Sequence, residues 1–303
     1  MRLRSRFDAL LLDLDGTLFR GHEVIPGAPE ALSGAPEDAQ RLVYVTNNAS
    51  RSALGVAGHL RDLGFAATED EVVTSAQAAA HLLAAELSPG SAVLVVGTDD
   101  LVAEIECVGL QAIRRFNGIA PAGVVQGHNP NTAWADLAEA AYALRAGAVW
   151  VAANTDATLP NERGLAPGNG SMVAALRTAS DREPIVAGKP FAPLMEDALT
   201  RAKTRSALVV GDRLNTDIDG AHTVGLESLM VLTGVSTLED LRTQPADRLP
   251  TYVSDSLDAL NHPVADTAPI PADAQDIAAE IAARLREHPG RAIPVSAPPA
   301  ADD

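Results

Sequence analysis

The stretch Phe7-Asp8-Ala9-Leu10-Leu11-Leu12-Asp13-Leu14-Asp15-Gly16-Thr17 joins an apolar run directly to two carboxylates one residue apart. The run over residues 7–12 predicts a buried β-strand. Alternate residues of a strand point to the same side, so Asp13 and Asp15 leave the strand end together, and Gly16 lets the chain turn sharply behind them. Two such acids can hold a divalent cation and divide nucleophilic work from general acid/base work.

Strand-like runs rich in Val, Leu and Ile alternate with Ala-rich helical segments along the chain. This alternation predicts an α/β fold with a parallel sheet. The predicted strands are Phe7 to Leu12, Arg41 to Val45, Ala92 to Val96, Gly123 to Gln126, Ala148 to Ala153, Pro184 to Ala187, Ala207 to Val210, Ser228 to Leu232 and Thr251 to Val253. The predicted helices are Ser52 to Leu63, Ser75 to Leu87, Leu101 to Val108, Thr132 to Ala146, Met172 to Ala179, Pro193 to Ala202 and Thr216 to Val224.

Polar groups follow three of the predicted strands, where a purely structural role does not require them. They are Asp13 with Asp15, Thr46-Asn47-Asn48 and Gly211-Asp212. In an open parallel sheet, ligands bind in the crevice outside the carboxyl ends of the strands, so we expect the three motifs to face one pocket. Taken singly, each motif has a structural alternative, because such residues also form turns and cap helices.

Length, composition and charge limit the class of protein. The 303 residues predict two domains, and the 47% apolar content supports a full globular core. No stretch approaches the roughly 18 apolar residues that a membrane span needs, and acids interrupt the first apolar run, so we expect a cytoplasmic protein without a membrane partner. The formal net charge of −17 and the pI near 4.7 argue against a nucleic-acid partner.

Four ordered motifs together resemble those of the haloacid dehalogenase superfamily of phosphatases. The motifs are DLDGT at residues 13–17, TNN at 46–48, GKP at 188–190 and GDRLNTD at 211–217. The resemblance covers residues from about 7 to 260 and implies a Rossmann-like parallel-sheet core. Four motifs in one order are far more specific than any single short pattern.

The spacing of the motifs indicates where a second domain is inserted. Thr46 follows Asp13 by 33 positions, too few for a cap domain, whereas Lys189 follows Thr46 by 143. This resembles the NagD-like, p-nitrophenylphosphatase branch, which carries a separate α/β cap between the second and third motifs. We expect a core at 1–78 and 186–262 and a cap at 79–185. The C-terminal segment at 263–303 is expected to contain a helix (Gln275 to His288) and a Pro- and Ala-rich disordered tail from Ile293 to Asp303.

The resemblance also implies the chemistry of the core motifs. Mg²⁺ would be the cofactor, with an oxygen of Asp13, the backbone carbonyl of Asp15 and Asp212 as ligands. Asp13 would attack phosphorus to give an aspartyl-phosphate, and Asp15 would protonate the leaving alkoxide and then activate water. Asp217 would orient metal-bound water or Lys189, although an acid complementing a helix dipole is an equal alternative.

Further residues are expected to bind the phosphoryl group. By the same resemblance, the Thr46 hydroxyl and Asn47 would donate hydrogen bonds to the phosphoryl oxygens, with Asn48 as a further substrate-binding residue. Lys189 would offset negative charge on both Asp13 and the phosphoryl group. A solvated surface lysine is the structural alternative for Lys189.

The cap is expected to select the substrate, because the core motifs contact only the phosphate. In the resembling branch, the loop Gly127-His128-Asn129-Pro130-Asn131 touches the leaving group, which makes His128, Asn129 and Asn131 candidate substrate-binding residues. An ordinary polar turn with Asn131 as the helix N-cap is the alternative. The glycine-rich run Pro167 to Ser171 is interpreted as a structural loop, and the role of Asn154-Thr155-Asp156 stays open.

Longer segments, among them TNNASRS at residues 46–52, also resemble the actinobacterial glycerol 3-phosphate phosphatases of this branch. The leading substrate is therefore glycerol 3-phosphate. Pyridoxal phosphate, sugar phosphates and nucleoside monophosphates stay open, as do a phosphotransferase and a noncatalytic phosphate-binding protein. The expected partner is a small phosphorylated metabolite, and a homodimer formed through the cap is left open.

Overall fold

The computed structural model describes residues 1–33, 40–116, 118–161, 163–271, 274 and 276–297. The strands are β1 (Ala9–Leu12), β2 (Phe19–Arg20), β3 (Glu23–Val24), β4 (Arg41–Thr46), β5 (Val72–Thr74), β6 (Ala92–Val96), β7 (Gln111–Ile113), β8 (Gly123–Gln126), β9 (Val149–Ala152), β10 (Thr158–Asn161), β11 (Gly164–Pro167), β12 (Ile185–Val186), β13 (Ala207–Gly211), β14 (Glu227–Val231), β15 (Tyr252–Ser254) and β16 (Ile293–Pro294). The α-helices are α1 (Ala28–Leu32), α2 (Ala53–Asp62), α3 (Ser75–Glu86), α4 (Asp99–Cys107), α5 (Trp134–Arg145), α6 (Asn169–Ser180), α7 (Ala192–Ala202), α8 (Asp219–Thr223) and α9 (Ile277–Glu287).

The chain divides into two compact units. Unit 1 contains Met1–Val45, Ala57–Val72 and Ala198–Asp303, and unit 2 contains Thr46–Val56 and Val73–Asp197. The predicted cap, residues 79–185, lies inside unit 2, which begins earlier in the chain and ends later. The predicted domain boundaries therefore differ from the packing units, and a separate cap stays a prediction.

The strand that precedes Asp13 lies in the interior of a seven-stranded sheet. The strand order is β16-β15-β14-β13-β1-β4-β5, and the division between the units falls inside β4 and β5. β1 is parallel to both neighbours, with Leu12 opposite Val210 on one side and Tyr44 on the other. All four β1 residues are buried, as expected for a parallel strand covered on both faces. The predicted α/β fold with a parallel core sheet is confirmed.

Unit 2 contains its own five-stranded sheet. The order is β12-β9-β8-β6-β7, and all the strands are parallel. One face of this sheet contributes Leu94, Val124 and Trp150 to a buried cluster with Ala140 of α5 and Val173 of α6. The antiparallel hairpin β10–β11 forms a separate small sheet. The polar segments that follow β8 and β9 are thus attached to a packed scaffold.

The C-terminal segment is more ordered than the sequence analysis expected. Disorder was predicted from Ile293 onward, but β16 pairs antiparallel with β15, and Ile293 and Val295 are fully buried. Apolar side chains at these two positions complete the core that α9 covers with Ile277, Ile281 and Leu285. The expected disorder is therefore wrong for residues 293–297, and residues 275 and 298–303 lie outside the described part of the chain.

Most predicted elements are present, with ends shifted by at most three residues, and several short elements were not predicted. Among the latter are α1, the strand pairs β2–β3 and β10–β11, and the strands β5 and β7. The predicted helix over 216–224 is a π-helical turn, Leu214–Ile218, followed by α8. None of the helices in the described part of the chain has both the length and the apolar composition that a membrane crossing requires.

Candidate active site

Asp13 and Asp15 leave the end of β1 in a tight loop. The N–H of Asp13 donates to the carbonyl of Val210 at 2.9 Å, which continues the pairing with β13. Gly16 has φ of 93°, and its N–H donates to the carbonyl of Phe19 at 2.7 Å, so the chain reverses directly behind the two acids. Asp13 is half-buried and Asp15 is exposed. The two carboxylates therefore differ in their access to solvent.

Asp212 follows β13 and is fully buried. Its Oδ2 accepts a hydrogen bond of 2.6 Å from the N–H of Val235, and its backbone carbonyl accepts one of 3.1 Å from Ser236. The Thr17 hydroxyl lies 3.5 Å from both Asp13 Oδ2 and Asp212 Oδ1. Thr17 thus lies between the two carboxylates. Thr17 belongs to the DLDGT motif, but no role was predicted for it from the sequence.

Two glycines make room for the Asp212 carboxylate. A Cβ added at Gly16 or at Gly234 would overlap the carboxylate atoms of Asp212. Gly16 also has the left-handed backbone that side chains disfavour. Gly234 was not singled out from the sequence, because its neighbour Asp212 lies 22 positions away in the chain.

Asp217 completes a cluster of three carboxylates. It is fully buried, and its Oδ2 accepts from the N–H of Arg213 at 3.0 Å. Ligand atoms of Asp13, Asp212 and Asp217 all lie within 4.8 Å of one another. Such a concentration of negative charge favours a divalent cation, and hard carboxylate oxygens are the ligands that Mg²⁺ prefers. The Asp217 side chain therefore lies among the possible metal ligands, although it was predicted to orient metal-bound water or Lys189 without binding the metal itself.

Hydrogen bonds within the loop after β4 fix the positions of its polar side chains. The Thr46 hydroxyl oxygen accepts from the N–H of Asn48 at 3.1 Å, and Asn48 Oδ1 accepts from the N–H and hydroxyl of Ser50 at 2.7 Å each. Thr46 is buried, whereas Asn48 is exposed. Hydrogen bonds of this kind hold a turn in one conformation.

The Asn47 side chain brackets the backbone of Lys189. Its Oδ1 accepts from the Lys189 N–H at 2.7 Å, and its Nδ2 donates to the Lys189 carbonyl at 3.1 Å. A Cβ at Gly188 would lie only 2.6 Å from Asn47 Oδ1, so glycine permits this approach. Both Asp156 carboxylate oxygens lie 3.5 Å from Nδ2. The amide that we expected to donate to phosphoryl oxygens is thus engaged with protein atoms, and it holds the segment that carries Lys189.

The three residues predicted to bind the substrate from the cap, His128, Asn129 and Asn131, differ in burial and in hydrogen bonding. Burial lowers the pKa of the half-buried His128. The Asn129 amide is used internally, because Nδ2 donates to the Gly97 carbonyl at 2.8 Å and Oδ1 accepts from the Asn131 N–H at 2.9 Å. Asn131 is exposed. The alternative of Asn131 as N-cap is wrong, since α5 begins later and the Ala133 N–H donates to the Asp136 carboxylate at 2.9 Å.

Comparison with protein families agrees with the four motifs. The haloacid dehalogenase-like hydrolase model matches residues 10–111, and a second model described as HAD-hydrolase-like matches residues 186–260. The D-glycerol 3-phosphate phosphatase of Mycobacterium tuberculosis is 56% identical over 259 residues, which are 86% of this chain and 72% of that protein. The chain belongs to the haloacid dehalogenase-like hydrolases.

Solved structures of this hydrolase family extend the comparison to the fold. The crystal structure of glycerol phosphate phosphatase from M. tuberculosis in complex with magnesium has a TM-score of 0.84 at 55% identity, covering 89% of this chain and 82% of that one. The p-nitrophenyl phosphatase from Archaeoglobus fulgidus has a TM-score of 0.76 at 30% identity, covering 83% and 97%. The predicted family, its p-nitrophenylphosphatase branch and its hydrolase activity are confirmed.

The structure brings the predicted residues together in two groups. In unit 1 these are Asp13, Asp212 and Asp217, and in unit 2 they are Asn47 and Lys189. The predicted Mg²⁺ cofactor is supported by the oxygen-only cluster and by the magnesium in the M. tuberculosis structure. The individual roles of these residues, and the expectation that all the strand ends line one pocket, stay predictions.

Proposed function

We propose that this chain is a Mg²⁺-dependent phosphatase that hydrolyses small phosphate monoesters, with glycerol 3-phosphate as its substrate. The observation that carries the proposal is the cluster of Asp13, Asp212 and Asp217, whose ligand atoms lie within 4.8 Å of one another at the ends of two neighbouring parallel strands. The 56% identity to a D-glycerol 3-phosphate phosphatase supports the choice of substrate.

Charge is the first obstacle to the reaction. A phosphate monoester dianion repels an attacking carboxylate, so positive charge must be supplied before Asp13 reaches phosphorus. Asp13, Asp212 and Asp217 would hold Mg²⁺, with the backbone carbonyl of Asp15 as a further oxygen, and the bound cation supplies that charge. The Val235 and Arg213 N–H groups keep the Asp212 and Asp217 carboxylates in place for this task.

Asp13 and Asp15 divide the chemical steps. A carboxylate oxygen of the half-buried Asp13 attacks phosphorus in line, and the bond from phosphorus to the ester oxygen breaks. The exposed Asp15 gives its proton to the leaving alkoxide, which releases the alcohol and leaves an aspartyl-phosphate. Asp15 then takes a proton from water, whose oxygen attacks phosphorus, so inorganic phosphate is released and Asp13 is regenerated.

Residues of unit 2 bind the phosphoryl group in this proposal. Thr46 donates its hydroxyl hydrogen to a phosphoryl oxygen, and the Lys189 ammonium offsets the negative charge that develops. Asn47 acts through the Lys189 backbone, because its side-chain amide is engaged there. Asn48, which is exposed in the loop after β4, is proposed as a further substrate-binding residue.

The cap residues are proposed to contact the alcohol part of the substrate. His128 is half-buried, and its pKa is lowered by burial, so at neutral pH its ring is uncharged and suited to hydrogen-bond a hydroxyl group. Asn131 is exposed, whereas the Asn129 amide is engaged within the loop. We therefore expect His128 and Asn131 to contribute to KM, and Asn129 to support the loop.

A substrate panel tests the proposal. Phosphate release is measured from glycerol 3-phosphate, pyridoxal phosphate, glucose 6-phosphate and nucleoside monophosphates, with Mg²⁺ and with a chelator. We expect the highest kcat/KM for glycerol 3-phosphate and loss of activity with the chelator. Activity that survives chelation would contradict the metal assignment. Transfer of phosphate to an added alcohol instead of water would indicate a phosphotransferase.

The assembly and location of the enzyme are further parts of the proposal. Large apolar side chains are exposed in unit 2, among them Trp134, Tyr142 and Leu165, which favours a homodimer formed through the cap. Light scattering should give twice the mass of the chain, and a monomer at micromolar concentration would exclude this dimer. The chain has one cysteine, Cys107, and therefore forms no intramolecular disulfide, which is consistent with the proposed cytoplasmic location. Cell fractionation tests this location.

A further inference from the structure

A buried network of neutral amides in unit 2 links Lys189 to two segments whose roles the sequence left open. We propose that Asn154 is a positioning residue for Lys189, acting through Asn47, and that the glycine-rich loop Gly168-Asn169-Gly170 holds Asn154 in place. The inference rests on the proposed function, because Lys189 matters to catalysis only if the chain is a phosphatase.

The network starts from the Asn47 backbone. The carbonyl oxygen of Asn47 accepts hydrogen bonds of 2.6 Å each from the Ser75 hydroxyl and from Asn154 Nδ2. A carbonyl oxygen has two lone pairs, so both acceptor positions are used and the orientation of this peptide group is fixed. The Asn47 side chain leaves the adjacent Cα, and its direction toward the Lys189 backbone is fixed with it.

Hydrogen bonds hold Asn154 at its side-chain oxygen, at its backbone carbonyl and through the residue that precedes it. Its Oδ1 accepts from the Asp156 N–H at 3.2 Å, and its backbone carbonyl accepts from Asn169 Nδ2 at 2.7 Å. The N–H of the preceding residue, Ala153, donates to the Gln126 carbonyl at 2.8 Å, so the pairing of β9 with β8 continues to the residue before Asn154. Asn154 and Asn169 are only 5% and 2% exposed. Asn154 therefore transmits the rigidity of the five-stranded sheet to Asn47.

The glycine-rich loop supports Asn154 through close backbone contact. The N–H groups of Gly168 and Gly170 donate to the carbonyls of Ala157 and Asp156 at 2.9 and 2.8 Å. A Cβ at either glycine would overlap the backbone of the segment 155–156. These N–H groups are occupied by protein acceptors, so the loop is a support and not an anion site.

The chemistry of the network requires an amide at position 154. A carboxylate there accepts hydrogen bonds but donates none, and it would place negative charge against the Asn47 carbonyl oxygen. Asn154→Asp preserves side-chain size and reverses the interaction with Asn47, whereas Asn154→Ala removes it. The two variants separate loss of packing from loss of the hydrogen bond.

A double-mutant cycle tests the inference. Asn154→Ala and Asn154→Asp are made in the wild-type and Lys189→Ala chains, and kcat and KM are measured with p-nitrophenyl phosphate. With Lys189 present, we expect kcat to fall by about 10- to 100-fold, because small displacements of catalytic groups cost factors of this size. In Lys189→Ala, the same changes should have little further effect. Equal factors in both backgrounds would overturn the proposal.

Controls separate this result from loss of folding and from failure of the proposed function. Asn161→Ala, at an exposed asparagine of the same unit, should leave kcat unchanged. The Mg²⁺ concentration for half-maximal activity should also stay unchanged in Asn154→Ala, because the carboxylate cluster belongs to unit 1. A wild-type chain without Mg²⁺-dependent phosphate release would refute the proposed function, whereas an active wild type with an additive cycle would refute only the positioning role.

Two further measurements cover variants that fold poorly or turn over slowly. Ser75→Ala removes only the second donor to the Asn47 carbonyl and should lower kcat in the same direction. If Lys189→Ala is too slow to assay, calorimetric binding of inorganic phosphate to the six proteins gives the same two cycles. A folded Ser75→Ala with unchanged kcat, together with additive phosphate affinities, would overturn the proposal.

Discussion

The carboxylate cluster of unit 1 and the amide network of unit 2 differ in the charge of the polar side chains that they bring together. Asp13, Asp212 and Asp217 gather negative charge within a few ångströms. Asn47 and Asn154 instead form a chain of uncharged groups that satisfy one another. A buried charge is costly without a counter-charge, whereas a hydrogen-bonded amide needs nothing further. The three carboxylates therefore favour a bound divalent cation, whereas the amide network sets its geometry through hydrogen bonds between uncharged groups.

The two regions also use glycine differently. Gly16 and Gly234 leave space around the Asp212 side chain, so they give room to a carboxylate that is proposed to bind the metal. Gly168 and Gly170 let two backbone segments touch, so they tie one loop to another. Substitutions around the carboxylate cluster should therefore act mainly on metal binding and chemistry, and substitutions in the amide network mainly on the placement of Lys189.

The largest expected effect is that of Asp13→Asn. The amide cannot act as the nucleophile, so kcat should fall by roughly 10⁴-fold or more, while the circular dichroism spectrum stays unchanged. Phosphate release from p-nitrophenyl phosphate gives kcat. Appreciable Mg²⁺-dependent turnover by the folded variant would rule out Asp13 as the nucleophile.

Gly234→Ala should weaken metal binding through its contact with Asp212. The added Cβ overlaps the carboxylate, so the Mg²⁺ concentration for half-maximal activity should rise by about 10- to 100-fold. Gly58→Ala is the matched control, since Gly58 lies in α2 and the nearest atom to its added Cβ is 3.8 Å away, an ordinary van der Waals distance. An unchanged Mg²⁺ requirement in Gly234→Ala would show that Asp212 is not held as described.

Ile281→Ala tests the apolar support of unit 1. Ile281 of α9 is fully buried in the cluster that also contains Leu214 and Ile218, which flank Asp217 in the chain. The cavity should lower the free energy of unfolding by about 2–5 kcal/mol, measured by urea denaturation. Glu287→Ala, exposed on the same helix, should stay within about 0.5 kcal/mol of the wild type. Equal stabilities of the two variants would mean that α9 does not cover this core.

The smallest expected effect is a change in the pH dependence of stability in His128→Gln, a variant in unit 2. Burial lowers its pKa, so the unfolded chain binds the proton more readily than the folded one. Stability should therefore fall as the pH drops below the ordinary histidine value of about 6.5, and His128→Gln should reduce this fall. Melting temperatures between pH 5 and 7.5 measure it. Parallel curves for the two proteins would contradict the role of burial.

The sequence predicted what depends on local pattern. The apolar run before Asp13 and the order of the four motifs were sufficient for the fold and the family. Contacts between distant segments could not be obtained in this way. Gly234 beside Asp212, and Ser75 and Asn154 on one carbonyl of Asn47, depend on tertiary approach that no short motif encodes.

The last strand was missed for a different physical reason. Pro and Ala dominate the C-terminal composition, which favours disorder on average, yet two apolar side chains, Ile293 and Val295, were enough to complete a core. Asn131 was considered as a helix cap because of its residue type, but the side chain that reaches the free backbone group is that of Asp136. Composition and propensity were outweighed by packing in both cases.

Pro294 in β16 removes a backbone hydrogen-bond donor from one edge of the seven-stranded sheet. β16 is the outermost strand of the seven-stranded sheet, and the N–H of Val295 donates inward to the Thr251 carbonyl at 2.9 Å. Backbone groups alternate in direction along a strand, so Pro294 stands where an N–H would face outward. Proline has no N–H to offer, and an edge without that donor is a poor template for a strand of another chain. The enzyme thereby limits aggregation along this edge.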